Sequence, residues 1–334
     1  MATTTDPRGS TTETPDGTAH GTAGGLTCGI DVGGTKIAGA VVDTQGRVLD
    51  EHRVVSPATD AEAVEDAIAE LVAELGSRHE LTGVGIGAAG YVDSGRAVVM
   101  FAPNVAWRDE DLGTEIQKRV GLPVVVENDA NAAAWGEFTF GAAFDVDDML
   151  MVTVGTGVGG GIVIDGELYR GGFGAAAEIG HLRVVPGGRL CGCGNRGCIE
   201  QYASGSALVK VTRGLASTPE AAALLERAGG DAAAINGPLI TAAAADGDPF
   251  AIARVAEVGR WLGEAIASLT AVLDPGAVVV GGGVSEAGDL LLDPVRAAFE
   301  SELTGRGHRP VLEIRAASLG NRAGVIGAAD LARR

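Results

Sequence analysis

Three cysteines crowd into the segment CGCGNRGCIE, as Cys191, Cys193 and Cys198, while the chain's fourth, Cys28, lies far away. Their C-x-C-x4-C spacing lacks the C-x-x-C of thioredoxin-type redox sites. Nor is it the even, spaced framework of a disulfide-stapled extracellular domain. Three thiolates call for a fourth ligand, and His181, one of five histidines, stands ten residues before Cys191. A Cys3His set suits a closed tetrahedral zinc site, structural rather than catalytic because no coordination position stays open. Buried thiols or another metal are the alternatives.

A second group of residues could hold phosphate. Glycine turns tolerate positive φ and let backbone amides converge on an anion. Three such turns occur, DVGGTK (31–36), GTGVGGG (155–161) and GGGVS (281–285). Each alone also reads as an ordinary hairpin turn. DVGGTK is no P-loop, since G-x-x-x-x-G-K-[ST] is absent and a strand follows it. Its extra chemistry is Asp31, which suits a hydrated magnesium, with Thr35 and Lys36 as donors to phosphate oxygens. Together the three turns favour a nucleotide.

A third stretch, VVVENDANAAAWGE, sets Asn128 and Asp129 just beyond a buried strand, where open α/β sheets gather ligands. Asp129 is a candidate general base, or simply the N-cap of the helix that follows. Phosphoryl transfer to a hydroxyl needs positioning, charge stabilisation and a carboxylate to accept the proton, so these parts suit it.

The elements that must position these residues alternate. Residues 26–43 read as strand, glycine turn, strand, and the spacing of Val64, Ile68, Leu71, Val72 and Leu75 reads as an amphipathic helix. Buried strands at 84–88 and 123–127 precede loops, the second running into an Ala-rich helix. A long helix from about 248 to 273 leads into a buried strand at 277. This order implies an α/β sheet with helices on its faces. The first hairpin also recurs. Shifted by 122 positions, residues 153–165 repeat 31–43 at Val32/Val154, Gly33/Gly155, Gly39/Gly161, Val41/Val163 and Asp43/Asp165, which suggests a duplicated architecture.

Composition narrows the class. A chain of 334 residues with 46% hydrophobic content and 53 glycines is globular and long enough for two domains. Residues 1–25 are rich in Thr, Gly, Pro and Asp and lack an apolar stretch, so a disordered tail rather than a signal peptide is expected there. No run approaches the roughly 20 apolar residues of a membrane span. With its unpaired cysteines, the chain reads as soluble, reduced and cytoplasmic. A net charge of −19 and only three lysines (Lys36, Lys118, Lys210) leave no patch to neutralise phosphodiesters, so neither nucleic acid nor membrane is an expected partner.

In this order DVGGTK, ENDANAAAWGE, GTGVGGG, AEIGHLRVVPGG and CGCGNRGCIEQYASG resemble the ROK family (repressors, open reading frames and kinases), in particular its bacterial glucokinases. The resemblance covers roughly 27–330. It implies an α/β, actin-like (ribonuclease H-like) duplicated two-domain fold with the active site in the cleft between domains, in a homodimer or homotetramer. The small domain would comprise 26–133 with 320–334, and the large one 134–319 with a zinc-binding segment at 181–198. It further implies that Asp129 deprotonates the sugar 6-hydroxyl for in-line attack on the γ-phosphate of ATP. Asn104, Asn128, Asp129, Glu178, His181 and Glu200 would contact the sugar, with His181 serving zinc through its other ring nitrogen. Gly33, Gly34, Thr35 and Lys36, with Thr156 and Gly157, would meet the phosphates, and Gly282 and Gly283 the nucleoside, beside the magnesium that the residue chemistry gives to Asp31. Ala177 departs from the pattern, since a glycine often precedes the Glu of this motif.

The resemblance leaves three activities to weigh. A glucokinase using ATP leads. A kinase for N-acetylmannosamine, N-acetylglucosamine, mannose or fructose, or a polyphosphate-using glucokinase, is the alternative, with sugar choice set around Gly90, Asn104 and Glu178. A sugar-responsive repressor is disfavoured, because such members carry an N-terminal winged helix and only about 25 residues precede the first glycine turn here.

Overall fold

The computed structural model describes residues 24–334, so the expected tail lies outside the described residues except for Gly24 and Gly25. The chain opens with three antiparallel strands, β1 (Leu26–Val32), β2 (Lys36–Val42) and β3 (Val48–Val55), followed by α1 (Ala61–Gly76) and β4 (Leu81–Ala88). Three short strands come next, β5 (Tyr91–Val92), β6 (Val99–Phe101) and β7 (Arg108–Glu110), before α2 (Leu112–Val120), β8 (Val124–Asn128) and α3 (Asp129–Phe140). The pattern then restarts with β9 (Met149–Val154), β10 (Val158–Ile164) and β11 (Glu167–Leu168). A helical stretch follows, α4 (Glu200–Ala203), α5 (Gly205–Gly214), α6 (Ala222–Arg227), α7 (Gly237–Ala245) and α8 (Pro249–Leu273). The chain ends with β12 (Ala277–Gly281), α9 (Asp289–Glu302), β13 (Glu313–Ala316) and α10 (Ala323–Leu331).

The duplication suggested by the repeated hairpin is present in the topology. One sheet runs β3-β2-β1-β4-β8 and the other β11-β10-β9-β12-β13, the same order of antiparallel meander followed by parallel strands. In each, the central strand pairs antiparallel with the next in sequence and parallel with a later one. The turns differ by one residue: Val32 pairs with Ile37 across the first and Val154 with Val158 across the second. This is the actin-like α/β arrangement the motifs imply.

Local sequence explains the elements. Parallel strands covered on both faces must be apolar throughout, and β4 and β12 are buried along nearly their whole length. Strand β3 alternates exposed and half-buried residues, as an edge strand does. Helix α1 buries its apolar stripe and starts where the Asp60 carboxylate accepts from the Ala63 N–H at 3.2 Å. Helix α8 begins with Asp248 accepting from Phe250 and Ala251 and with Pro249 at its first position.

Between the two sheets lie α10 and α3. Helix α10 covers β1, β2 and β4, α3 packs on β9 and β10, and the two helices pack on each other. The layers close only because glycines stand at the crossings. A Cβ at Gly85 would overlap the Ala328 carbonyl oxygen, and one at Gly327 would overlap that of Ala132. Outside this layer, α8 and α9 build the larger core with β9 and β12, while α1 and α2 cover the first sheet. Among the described residues no helix is long and apolar enough to cross a membrane.

Gly327→Ala is expected to destabilise the fold by about 2–3 kcal/mol, since the added methyl meets backbone that cannot turn aside. Gly214→Ala, surrounded by open space, should leave stability within about 0.5 kcal/mol of the parent. Urea unfolding of both variants checks the pair.

Candidate active site

The parallel strands of both sheets deliver their carboxyl ends to one cleft of about 1000 Å³. Its floor is the junction of β8 and α3. Asn128 is the N-cap of α3, its Oδ1 accepting from the Asn131 N–H at 3.0 Å, while its Nδ2 donates to the Gly90 carbonyl at 3.0 Å. Capping, the alternative role weighed for Asp129, therefore falls to its neighbour. Asp129 is instead the first residue of the helix, accepting from the Ala130 N–H at 2.8 Å.

The surroundings of Asp129 make its carboxyl an unusually weak acid. Desolvation raises its pKa from 3.8 to about 7, the charges of Asp31 and Glu178 push the same way, and the Ala130 N–H opposes them. Asp31 is itself raised by burial, with Lys36 pulling back. A carboxyl titrating near neutrality is suited to exchange a proton with substrate.

On the opposite wall a single 3-10 turn, Ile179–His181, separates Glu178 from the imidazole. The His181 ring is shared. Its Nδ1 lies 3.7 Å from Cys191 Sγ and its Nε2 lies 3.9 Å from Glu178 Oε2. Ala177, just before Glu178, holds a φ of +63°, the left-handed region that favours glycine. The departure from the family's glycine is therefore carried as local strain while Glu178 keeps its place in the cleft. Glu200, first residue of α4, accepts from the Val158 N–H at 3.3 Å. A Cβ at Gly157 would run into its Oε2, so glycine there lets the Glu200 carboxylate stand against the turn.

His181, Cys191, Cys193 and Cys198 bring one ligand atom each to within 4.8 Å of one another. Cys193 and Cys198 sulfurs are 3.7 Å apart. A tetrahedral zinc with bonds of about 2.3 Å to sulfur spaces its thiolates by about 3.8 Å, so the donor set and its spacing fit zinc. Cys191 and Cys198 are buried behind the cleft wall and Cys193 is exposed at its edge. Cys28 is buried in the core of the first sheet, apart from this cluster.

The cleft gathers most of the residues singled out from sequence. Gly90, Asn104, Asn128, Asp129, Glu178, His181 and Glu200 line it, as do Thr156, Gly157 and Gly282. Asp31, Gly33, Gly34, Thr35, Lys36 and Gly283 are not among its lining residues. The first glycine turn sits directly behind the wall, where a Cβ at Gly34 would stand 3.0 Å from the Asn104 carbonyl oxygen. The sequence reading missed Tyr91 and Phe101, paired across β5 and β6, and Ser206 and Lys210 on α5, all of which line the cleft. Tyr91 was findable, since it follows the end of a buried strand. Lys210 carried no signal, because its helix reaches the cleft only through tertiary packing.

Residues 27–334 match the ROK family. A glucokinase of Streptomyces coelicolor is 53% identical over 92% of this chain and 98% of its own length. An N-acetylmannosamine kinase of Escherichia fergusonii is 36% identical over 92% and 98%. Among solved structures, a ROK family glucokinase from Streptomyces griseus in complex with glucose and AMPPNP superposes with a TM-score of 0.85 at 54% identity, covering 92% of this chain and 99% of that one.

Metal analysis of the purified protein should find about one zinc per chain, held by the four ligands. Cys191→Ser should lower zinc content and reduce the melting temperature by about 10 °C or more, because the binding free energy of a structural zinc is folding free energy. Full stability without zinc would contradict the assignment.

Proposed function

The chain belongs to the ROK family, and from that membership and the geometry of the cleft we propose that it is a glucokinase, transferring the γ-phosphoryl group of ATP to the 6-hydroxyl of glucose. The observation that carries the reading is Asp129, a carboxyl brought to a pKa of about 7 at the floor of a cleft whose walls are acidic residues on one side and glycine turns on the other.

In this reading Asp129 accepts the proton of the 6-hydroxyl as that oxygen forms its bond to the γ-phosphorus and the bond to the ADP oxygen breaks. The carboxylates of Glu178 and Glu200, the free His181 nitrogen and the amides of Asn104 and Asn128 offer complementary partners for the remaining hydroxyls. Their role is to orient the sugar so that only the 6-hydroxyl meets Asp129. Backbone amides at Thr156 and Gly157 contact the phosphates and Gly282 lies by the nucleoside, all three lining the cleft, while the first glycine turn and Gly283, which do not line it, are given the same roles by the resemblance to the family. Magnesium bound with ATP supplies charge neutralisation at the phosphates, and Asp31 is the side chain that would hold it. The three cysteines take no part in the transfer. With His181 they fold the 181–198 segment so that Glu178 stands before it and Glu200 after it, and the second ring nitrogen of His181 faces the sugar.

The residues 26–133 with 320–334 form the smaller unit in this reading and 134–319 the larger, closing on the substrates. We propose a homodimer or homotetramer acting in the cytoplasm, with no nucleic-acid partner for so acidic a chain. The similarity to an N-acetylmannosamine kinase keeps a second hexose as the alternative substrate.

A coupled assay of glucose, mannose, fructose, N-acetylmannosamine and N-acetylglucosamine, each with ATP and with polyphosphate, should give its highest kcat/KM for glucose with ATP. A higher value for another pair would replace the substrate assignment.

Asp129→Asn should lower kcat by about 100-fold or more while glucose binding by calorimetry stays within a few-fold. Because the base acts deprotonated and its pKa is raised to about 7, kcat/KM should fall with decreasing pH below about 7 and level off above it. A profile flat from pH 5 to 8 would remove Asp129 from that role.

A further inference from the structure

Immediately before the proposed base stands a buried carboxylate with no assigned task. Glu127, the penultimate residue of β8, is 3% exposed. Its Oε1 accepts from the Asn128 N–H and from Asn131 Nδ2, each at 3.1 Å. It therefore grips the first turn of α3 on both sides of Asp129. Asn131 is 2% exposed, and its Oδ1 has no partner, so Glu127 is the one acceptor its side chain satisfies among the described residues.

The other oxygen of Glu127 reaches across to the second sheet. Oε2 accepts from Arg170 Nε at 2.6 Å. Arg170 directly follows β11 by two residues, and its Nη1 lies 3.4 Å from the Leu168 carbonyl. The Arg170 carbonyl in turn accepts from the Ala176 N–H at 3.1 Å, which closes the loop leading into Ala177 and Glu178. A continuous chain of polar contacts thus runs from the Asp129 turn, through Glu127 and Arg170, to the segment that carries Glu178. Arg96 stands beside this pair, its carbonyl accepting from the Val126 N–H and its Nη2 donating to the Leu331 carbonyl.

Stability alone does not account for such a pair. Glu127 is buried while Arg170 keeps about a quarter of its side chain exposed; burying the carboxylate costs desolvation that the attraction of a half-buried partner often fails to repay, and apolar side chains of similar volume commonly serve a core as well. We propose that the Glu127–Arg170 pair is a positioning link of the active site, fixing the first turn of α3, and with it Asp129, relative to the Glu178 segment across the two sheets. The proposal rests on the reading of Asp129 as the base. Misplacement of a reacting group by about 1 Å costs about 100-fold in rate, so even a small release of this link is visible in turnover.

The test uses the full chain with Arg170→Met, Glu127→Gln and the double substitution. Arg170→Met leaves the buried Glu127 carboxylate uncompensated and should lower the melting temperature, whereas Glu127→Gln leaves the partly exposed Arg170 and should lower it less. The double removes both charges and should recover most of that loss. If the link positions the base, kcat of the double remains about 10- to 100-fold below the parent, assayed well below its melting temperature, while the glucose KM stays within about threefold. Amide hydrogen exchange over residues 128–132, which needs no turnover, should be faster in the double than in the parent. A double variant that regains parental kcat together with its melting temperature, or that exchanges at 128–132 as slowly as the parent, overturns the proposal. Were the parent itself inactive on glucose, the proposed function would fall, and the exchange measurement would still decide the link.

Discussion

Asp129 is held desolvated at the floor of the cleft with the charges of Asp31 and Glu178 near enough to raise its proton affinity further, and the rest of the structure is arranged around that cost. A carboxylate among like charges keeps its proton near neutral pH unless something compensates. Here the compensation is partial: Asp129 takes one backbone N–H and sits in the first turn of α3, where the helix dipole favours negative charge. The imbalance is useful in a phosphoryl-transfer site, where a base that takes up a proton near pH 7 is wanted and the polyphosphate brings its own cation.

Holding carboxyls from different segments at fixed distances demands rigid connections. The glycine crossings of α10 with β4 and α3 lock the layer between the sheets, so the end of β8 has little freedom to drift. Glu137 reinforces this layer further along α3, accepting from the backbone of Ala142, Ser318 and Leu319. On the opposite wall the segment from Glu178 to Glu200 joins no sheet: beyond the 3-10 turn Ile179–His181, which packs on β10, it holds only isolated bridges, Arg183 with Cys198 and Leu190 with Arg196. A segment so poor in regular structure gains its order from the four ligands of a metal site. Bound by His181, Cys191, Cys193 and Cys198, zinc would give this loop the stiffness of a core element.

Much of this was legible in the sequence, because the signals were local. Strand, glycine turn and strand is a pattern of neighbouring residues, and its repetition 122 positions later foreshadowed two sheets of identical strand order. The Cys3His set was readable from ligand type and spacing, and Asp129 from its place after a buried strand. What stayed hidden depends on distance along the chain or on backbone angles. Residue types could not say which of Asn128 and Asp129 caps α3, since either side chain can cap. Arg170 lies 43 residues from Glu127, and only the meeting of two sheets joins them. The placement of 33–36 behind the cleft wall, with Asn104 in front, follows from the packing of the 102–107 loop. The left-handed backbone at Ala177 shows only in its φ.

The central claim is that Asp129, not another of the clustered carboxyls, meets the reacting hydroxyl. A crystal structure with glucose, magnesium and a non-hydrolysable ATP analogue bound together tests it most directly. The account places glucose O6 within about 2.6–3.2 Å of an Asp129 carboxyl oxygen and pointing at the terminal phosphorus. Glucose bound with O6 on Glu178 or Glu200, and Asp129 out of reach of it, would contradict the account.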